Sequence, residues 1–432
     1  MTVTRSVLVA VLAAAVILLA VVIGWEPGSK RPEGPSSGLK VIVLGIDGAD
    51  WFMLSKLLEE GVMESLTPLM KLSITGEIAA DTPAVPDVGW TILARGMSLT
   101  DQEATVVRTG DGRLRGLSPV LADLVEAGGG KSLSVGWPAS WPAGDSGGLL
   151  AAPFQVPSSV HGTGLPSTLF RDGVSQTLPD TLERRVDRIV ARNEGLYEQE
   201  FRRVVFDGEA MDDGWSDNLL AAQWAFLSDL ITLDTAASLI ASEQPDLTLM
   251  CLSGLDAVGH RFLAPAMPDY FAELPPGSAR YSNVLKNYYA FVDRGIERIR
   301  RLADENTVLI ICSVYGTHPS ADVAGMSGSH VNGPPGVLIA RGLRMAPTPR
   351  PVTITTRDIA PTVLAILGLR IPTNLEGRVV QELVPQGLLR EHPATYSGLA
   401  EAATSRPTTE DVEAMERLAE KRLGLIRSGA AW

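Results

Sequence analysis

The chain has few cysteines, few histidines and fewer basic than acidic residues, and each shortage narrows the possible functions. Its two cysteines, Cys251 and Cys312, each lie in an apolar run typical of a strand, so we expect buried thiols rather than a disulfide or metal ligands. There are 37 Lys and Arg against 50 Asp and Glu, and the net charge of −13 argues against binding to the phosphate backbone of nucleic acid. The five histidines are few enough to be weighed separately.

The rest of the composition is that of a large folded protein. The 432 residues are 45% hydrophobic and 20% charged, which suffices for one large α/β domain or two ordinary ones. Apolar strand-like runs alternate with helical patterns, which predicts a mostly parallel central sheet with helices on both faces. We predict one α/β domain over residues 39–405 and a C-terminal helix and tail over 406–432. The alternation is lost at about residues 150–215, which we interpret as a cap insertion, where binding residues are often found.

The N-terminus has the pattern of a membrane anchor. Residues 6–25 contain no charged side chain, and twenty such positions are enough for one membrane-spanning helix. No small-x-small cleavage site follows the run, so we favour a signal anchor (residues 1–25) over a cleaved signal peptide. Both interpretations place the folded domain outside the cytoplasm. Residues 26–38, rich in Pro, Gly and Ser, are predicted to form a linker.

An aspartate followed by a glycine comes directly after the first predicted strand of the domain. The run from Val41 to Ile46 is typical of a strand buried on both faces of a parallel sheet, and Asp47-Gly48 follows it directly. Ligands of open α/β sheets collect at the carboxyl ends of strands, and glycine lets a ligand or another backbone approach closely. Asp47 is therefore a candidate ligand residue, with capping of the next helix as the alternative.

A second set of polar residues follows later strands. Asp256 comes shortly after the apolar run 247–252, His260 is four residues further on the same predicted helical face, and His330 follows a Gly-Ser turn. An Asp-His-His set with an open position suits zinc or another divalent transition metal. The other three histidines lack this context and are interpreted as structural: His161, His318 and His392.

Several longer motifs lie along the chain in order. They are Val41-Ile-Val-Leu-Gly-Ile-Asp47-Gly, Gly89-Trp-Thr-Ile-Leu-Ala-Arg-Gly96, Val135-Gly-Trp-Pro-Ala-Ser-Trp-Pro142, Gly254-Leu-Asp-Ala-Val-Gly-His260, Tyr288-Tyr-Ala-Phe-Val-Asp293, Gly328-Ser-His330 and Asp358-Ile-Ala-Pro-Thr-Val-Leu-Ala-Ile-Leu-Gly368. In these motifs the chain resembles the alkaline phosphatase superfamily, specifically its type I phosphodiesterase and nucleotide pyrophosphatase branch. The resemblance extends over most of residues 39–425 and implies an alkaline phosphatase-like α/β fold.

The resemblance also implies a two-metal phosphoesterase site. One metal would be held at the positions of Asp256, His260 and His330. The other would be held at the position of Asp47, by a Thr or Ser nucleophile, and by an Asp-His pair after a later strand. Two cations about 4 Å apart clamp the attacking and leaving oxygens, and metal coordination activates the hydroxyl nucleophile.

This chain departs from that pattern at the second metal. The nucleophile position falls on Pro86, which has no hydroxyl, and the positions of the Asp-His pair hold Val314 and Tyr315. Asp47 alone would not hold a divalent ion firmly, so we expect one metal and no second. The neighbouring Asp87 is a weak candidate as a carboxylate nucleophile. The nearest hydroxyls need an altered loop: Thr82 and Thr91.

We therefore predict a membrane-anchored, catalytically impaired phosphoesterase homologue that keeps one metal, preferably zinc, and binds a phosphorylated small molecule or a protein partner. The alternative is an active hydrolase in which a water on the single metal attacks a phosphoester. Sulfatase chemistry needs a Cys or Ser that is converted to an aldehyde, and none lies near Pro86. The nature of the ligand would be decided by the cap, in which the sequence shows no readable motif.

Overall fold

A computed structural model of the chain describes residues 34–79, 86–100, 120–138, 149–151, 177–178, 180–206, 215–320, 326–348 and 350–388. The predicted anchor at residues 6–25 and the predicted C-terminal segment at 406–432 lie outside these ranges, as do Thr82, His161 and His392. Pro86 and Asp87 are described only by their place at the start of a helix.

Within the described residues, a nine-stranded sheet forms the centre of the protein, and most neighbouring strands run parallel. Its order is β11 (Val352–Thr355), β2 (Ile74–Ala79), β10 (Gly336–Arg341), β7 (Thr307–Cys312), β1 (Lys40–Ile46), β6 (Leu247–Leu252), β3 (Ser132–Val135), β4 (Leu149–Ala151) and β5 (Thr177–Leu178). Strand β10 runs antiparallel to both of its neighbours, and β5 runs antiparallel to β4. A separate two-stranded ribbon pairs β8 (His318–Pro319) with β9 (Gly328–Ser329).

The helices lie on both sides of this sheet. They are α1 (Trp51–Glu59), α2 (Leu66–Met70), α3 (Pro86–Arg95), α4 (Leu121–Ala127), α5 (Glu183–Glu194), α6 (Tyr197–Val204), α7 (Ser216–Glu243), α8 (Gly254–Ala266), α9 (Val284–Arg300) and α10 (Ile359–Leu367). Alternate residues of β1 enter two separate apolar clusters, Ile42 and Leu44 in one and Val41 and Val43 in the other. Helices α1, α7, α8 and α9 cover the first face, and α3, α4 and α10 cover the second. The predicted sheet with two covered faces is confirmed.

The centre of the sheet brings three strand ends together. Strand β1 pairs in parallel with β6 on one side and with β7 on the other. The residues that follow these strands, Asp47, Ser253 and Ser313, therefore lie at one edge of the sheet. Cys251 and Cys312 both pair with Gly45 and are buried free thiols, as predicted.

The segment at about residues 150–215 is described only in part. Helices α5 and α6 pack against α7, where Arg185 donates to the Ser238 hydroxyl and carbonyl, and Asn193 donates to Asp234. Strands β4 and β5 extend one edge of the sheet. The ligand-binding role of this segment stays a prediction.

Helix α7 is also the helix among the described residues that is long and apolar enough to cross a membrane. Most of its apolar stretch is buried inside the protein, as expected for a core helix, so the match is weak evidence for a membrane span. The predicted anchor at residues 6–25 is a different segment and stays a prediction.

Candidate metal centre

Three side chains converge at the carboxyl edge of the sheet. Asp256 and His260 lie one turn apart on α8, and His330 directly follows β9. One ligand atom from each lies within 4.8 Å of the other two. His330 Nε2 is 2.7 Å and His260 Nε2 is 3.4 Å from Asp256 Oδ1. The structure thus brings together the three residues that the sequence predicted as ligands of one metal.

Backbone carbonyls hold both histidine rings. His260 Nδ1 is 2.7 Å from the Gly328 carbonyl oxygen, and His330 Nδ1 is 3.0 Å from that of Gly316. With Nδ1–H donating to these carbonyls, the Nε2 lone pair of each ring faces Asp256. This is the usual way in which proteins fix the tautomer and the orientation of a metal-binding histidine.

With His330 neutral and its proton on Nδ1, two buried polar atoms face each other without a hydrogen between them. Asp256 Oδ1 and His330 Nε2 are only 2.7 Å apart, and in this protonation state neither has a hydrogen-bond partner within the described residues. A buried carboxylate oxygen facing a nitrogen lone pair is costly unless a cation lies between or beside them. Two nitrogens and one oxygen are a donor set that suits a divalent transition metal. The residues therefore fit the metal that the sequence predicted.

The electrostatics of the three side chains support this interpretation. Burial by itself lowers the pKa of His330, but the charge of Asp256 and its hydrogen bond, together with the Gly316 carbonyl and the charge of Asp47, outweigh burial and raise this pKa to about 9. Burial opposes ionisation of Asp256, yet the neighbouring His260 and His330 hold its pKa well below the usual value. A site that holds an extra proton so firmly also attracts a metal cation, which competes with that proton for the same lone pair.

Asp47 lies beside this centre and is 4% exposed. Its Oδ1 accepts a hydrogen bond of 3.0 Å from Trp90 Nε1 on α3. Gly48 has φ +76°, and a Cβ there would lie 2.8 Å from the Asp256 Cα, so the turn after β1 needs glycine to pass α8. Within the described residues, Asp47 is in no group of three converging Asp, Glu, His or Cys side chains.

Apolar packing fills the positions at which the resemblance implies an Asp-His pair. Val314 and Tyr315 are buried in the same apolar cluster as Trp90. A Cβ at Gly89 would lie 3.0 Å from Val314 Cγ2, so α3 packs directly onto these residues. The Tyr315 ring centroid lies 4.3 Å from that of His330.

The sequence did not indicate the residues that support the histidines. Gly316 and Gly328 act through their backbone carbonyls. Both positions are tightly packed: a Cβ at Gly316 would lie 2.3 Å from Asp50, and a Cβ at Gly328 would lie 2.5 Å from Thr317. The only hint of these supporting residues in the sequence was that both are glycines in or directly beside the motifs. His318 contacts two backbone carbonyl oxygens and lies outside the group of three converging side chains.

Comparison with protein families identifies a match over much of the chain. The family model described as type I phosphodiesterase / nucleotide pyrophosphatase matches residues 96–331, which is more than half of the chain. The matched region contains all three converging residues, whereas Asp47 and Pro86 precede it. No curated protein matches the chain at a significant level.

Solved structures resemble the chain in fold. The alkaline phosphatase PafA is 11% identical over 80% of this chain and 99% of its own, with a TM-score of 0.51. A mutant of that enzyme is 11% identical over 83% and 100% of the two chains, with a TM-score of 0.52. Murine ectonucleotide pyrophosphatase / phosphodiesterase 5 is 12% identical over 80% and 99%, with a TM-score of 0.42. The likeness to PafA shows an alkaline phosphatase-like fold.

Proposed function

Because the chain belongs to the type I phosphodiesterase / nucleotide pyrophosphatase family, we propose that it is a member that keeps one metal site and binds a phosphorylated ligand without the two-metal chemistry. The observation that carries the proposal is a contrast between two sides of one centre. On one side Asp256, His260 and His330 converge, whereas on the other Val314 and Tyr315 are part of the apolar core.

Asp256, His260 and His330 would hold the metal, and zinc is the proposed identity because the donor set is two nitrogens and one oxygen. When bound, the metal supplies a positive charge and a Lewis-acid contact for a phosphoryl oxygen. The chain's own part is to aim the donors, since the carbonyls of Gly316 and Gly328 keep both imidazoles turned towards Asp256.

Three features support impaired catalysis. The nucleophile position, counted back from the motif Gly89–Gly96, falls on Pro86, which cannot attack as a hydroxyl. The second metal lacks ligands at Val314 and Tyr315, and an indole N–H already contacts Asp47. Thr91, an alternative hydroxyl, is 2% exposed on α3. Phosphoryl transfer through a covalent intermediate needs a nucleophile on the protein and a second cation, and this chain would lack both.

A second candidate function is hydrolysis with a single metal. Three protein ligands leave a fourth position of a tetrahedral site open, which is the arrangement of catalytic rather than structural zinc. In this alternative, Asp256, His260 and His330 would position a bound water for direct attack on a phosphoester.

The proposed partner is a phosphorylated small molecule or a protein. The acidic net charge does not oppose this, because a small anion responds to the local charge of the centre. We further propose that residues 6–25 anchor the chain in a membrane with the folded domain outside the cytoplasm.

The test combines metal content with activity in the purified full chain. We expect about one transition metal per chain by elemental analysis, loss of that metal in His260→Ala, and retention in the control His318→Ala. Inorganic phosphate should raise the melting temperature of the metal-loaded wild type but not of His260→Ala. We expect negligible hydrolysis of bis(p-nitrophenyl) phosphate.

Two results decide against the proposal. Two tightly bound metals per chain would contradict the site assignment. Metal-dependent hydrolysis that His260→Ala abolishes and His318→Ala retains would establish the second candidate function in its place.

A further inference from the structure

The helix that carries two of the three proposed ligands begins without a cap of its own. Ser253 precedes α8, and its side chain makes no capping hydrogen bond. The first amide of the helix, that of Gly254, instead donates to both carboxylate oxygens of Asp229, at 3.2 Å each. Asp229 belongs to α7, so a different helix supplies the acceptor that an N-terminal turn needs.

Asp229 is itself held by a third helix. The Tyr288 hydroxyl on α9 donates to Asp229 Oδ2 over 2.9 Å. Asp229 and Tyr288 are 1% and 0% exposed, so water does not replace these bonds. Burying a carboxylate this deeply costs free energy of folding unless the carboxylate accepts such hydrogen bonds. Removal of either the donor or the acceptor leaves the remaining buried group without a hydrogen bond.

Gly254 is the point at which the three helices meet. A Cβ at this position would lie 1.9 Å from the Tyr288 hydroxyl oxygen, 2.6 Å from Asp229 Oδ2 and 2.9 Å from the Ala225 carbonyl oxygen. Two of these atoms belong to buried groups and the third is backbone, so no larger residue fits without moving a helix. The contact therefore fixes where the first turn of α8 lies.

The first turn of α8 carries a proposed metal ligand. Asp256 is two residues beyond Gly254, and its Oδ1 must lie close to both His260 and His330 for the three donors to converge. Metal sites tolerate displacements of only about 0.5 Å before ligand geometry is lost. A frayed first turn would move Asp256 relative to His330, which follows β9 on a different segment of the chain.

From this geometry we propose that Asp229, held by Tyr288, is a positioning residue that sets Asp256 in register with His260 and His330. The inference rests on the proposed metal centre and extends it to residues that touch neither metal nor ligand. It assigns a functional reason to a buried carboxylate that otherwise only joins three helices.

The chain contains a matched control for this role. Asp293 on α9 is equally buried and accepts hydrogen bonds from the Ser65 and Leu66 amides, at 2.8 and 2.9 Å, at the start of α2. It is thus another carboxylate that caps a helix from a different element, but α2 carries none of the converging side chains. Asp229→Asn and Asp293→Asn change the same kind of capping interaction, but only Asp229 caps the helix that carries proposed metal ligands.

The experiment measures metal affinity by chelator competition, the visible spectrum of the Co(II)-loaded chain and the melting temperature. We expect Asp229→Asn to weaken metal binding roughly 10- to 100-fold and to alter the Co(II) spectrum, in line with the loss of other residues that support ligands. Asp293→Asn should lower the melting temperature with affinity and spectrum unchanged. Tyr288→Phe, which deletes one hydroxyl, should shift affinity and spectrum in the same direction as Asp229→Asn and by less.

Unchanged affinity and spectrum in Asp229→Asn would overturn the positioning role while leaving the metal centre intact. If Asp229→Asn does not fold, Tyr288→Phe decides by the same two measurements. Failure of the wild type to bind metal would overturn the proposed function together with this inference, so the two failures are distinguishable.

Discussion

The indole N–H of Trp90 donates a hydrogen bond of 3.0 Å to the Asp47 carboxylate inside the protein. Both residues are buried, and Trp90 belongs to the apolar cluster that also contains Val314 and Tyr315. An N–H donor satisfies part of the charge that a second cation would otherwise neutralise. We infer that Asp47 serves this chain as a buried hydrogen-bond acceptor beside the proposed metal centre.

The first prediction concerns the contrast between two buried aspartates. Asp47→Asn should retain about one metal per chain, because the amide oxygen can still accept the Trp90 hydrogen bond and the three converging donors are untouched. Asp256→Asn should lose the metal, because it removes the charged member of the set. Elemental analysis of both variants checks this, and loss of metal in Asp47→Asn would show that Asp47 is a ligand.

The second prediction concerns restoration of the second site. Pro86→Thr, Val314→Asp and Tyr315→His together should raise the metal content to about two per chain and produce hydrolysis of bis(p-nitrophenyl) phosphate. Without added zinc the triple variant should be less stable than the wild type, because a carboxylate then lies in an apolar cluster without a partner.

A matched variant with Pro86→Ala in place of Pro86→Thr should bind two metals and remain inactive. Equal activity of the two variants would mean that residue 86 is not the nucleophile position. A metal content that stays at one in both would mean that Val314 and Tyr315 do not mark the second site.

The third prediction concerns the pH dependence of metal binding. Because Asp256 raises the pKa of His330 to about 9 in the metal-free protein, metal must displace a proton at neutral pH. Apparent affinity should therefore rise about tenfold per pH unit up to about pH 9 and then level off with respect to this proton. Calorimetry in buffers of different ionisation enthalpy should detect the released proton at pH 7. Release of no proton would contradict the assignment of His330.

The fourth prediction concerns the pH dependence of stability. Burial raises the pKa of Asp229 from 3.8 to about 7, against the lowering effect of the Tyr288 hydroxyl and the Gly254 amide. The folded protein then holds a proton that the unfolded chain releases, so this contribution to stability is full below about pH 4 and is lost as pH rises to 7. Relative to Asp229→Asn, the wild type should lose roughly 2–4 kcal/mol over this range.

Denaturant unfolding of both metal-free proteins at several pH values checks this prediction. The other titratable groups that interact with Asp229 are Tyr288 and Cys251, and burial raises the pKa of each well above its usual value, so neither titrates in this range. Parallel curves for the two proteins would contradict a raised pKa at Asp229.

Much of the fold follows from patterns that are local in the sequence. The apolar runs of β1, β6 and β7 predict buried parallel strands because no polar face interrupts them. The Asp358 carboxylate accepts a hydrogen bond from the Thr355 N–H in a capping box, and α10 ends at Gly368 with φ +67°. Local patterns define helix ends less well, because a separate 3₁₀ turn that ends at Tyr281 shortly precedes α9, which begins at Val284.

By itself, the sequence determined the candidate ligands Asp256, His260 and His330 and the apolar residues at Val314 and Tyr315, because residue type decides whether a side chain can bind a metal at all. Only the tertiary structure decided that the three ligands converge, that carbonyls of Gly316 and Gly328 orient the rings, and that α7 and α9 hold the first turn of α8. The physical reason is distance along the chain. Asp229 and Gly254 are 25 residues apart and His330 is 70 or more residues from its partners, and contacts of this kind leave no periodicity or spacing in a single sequence.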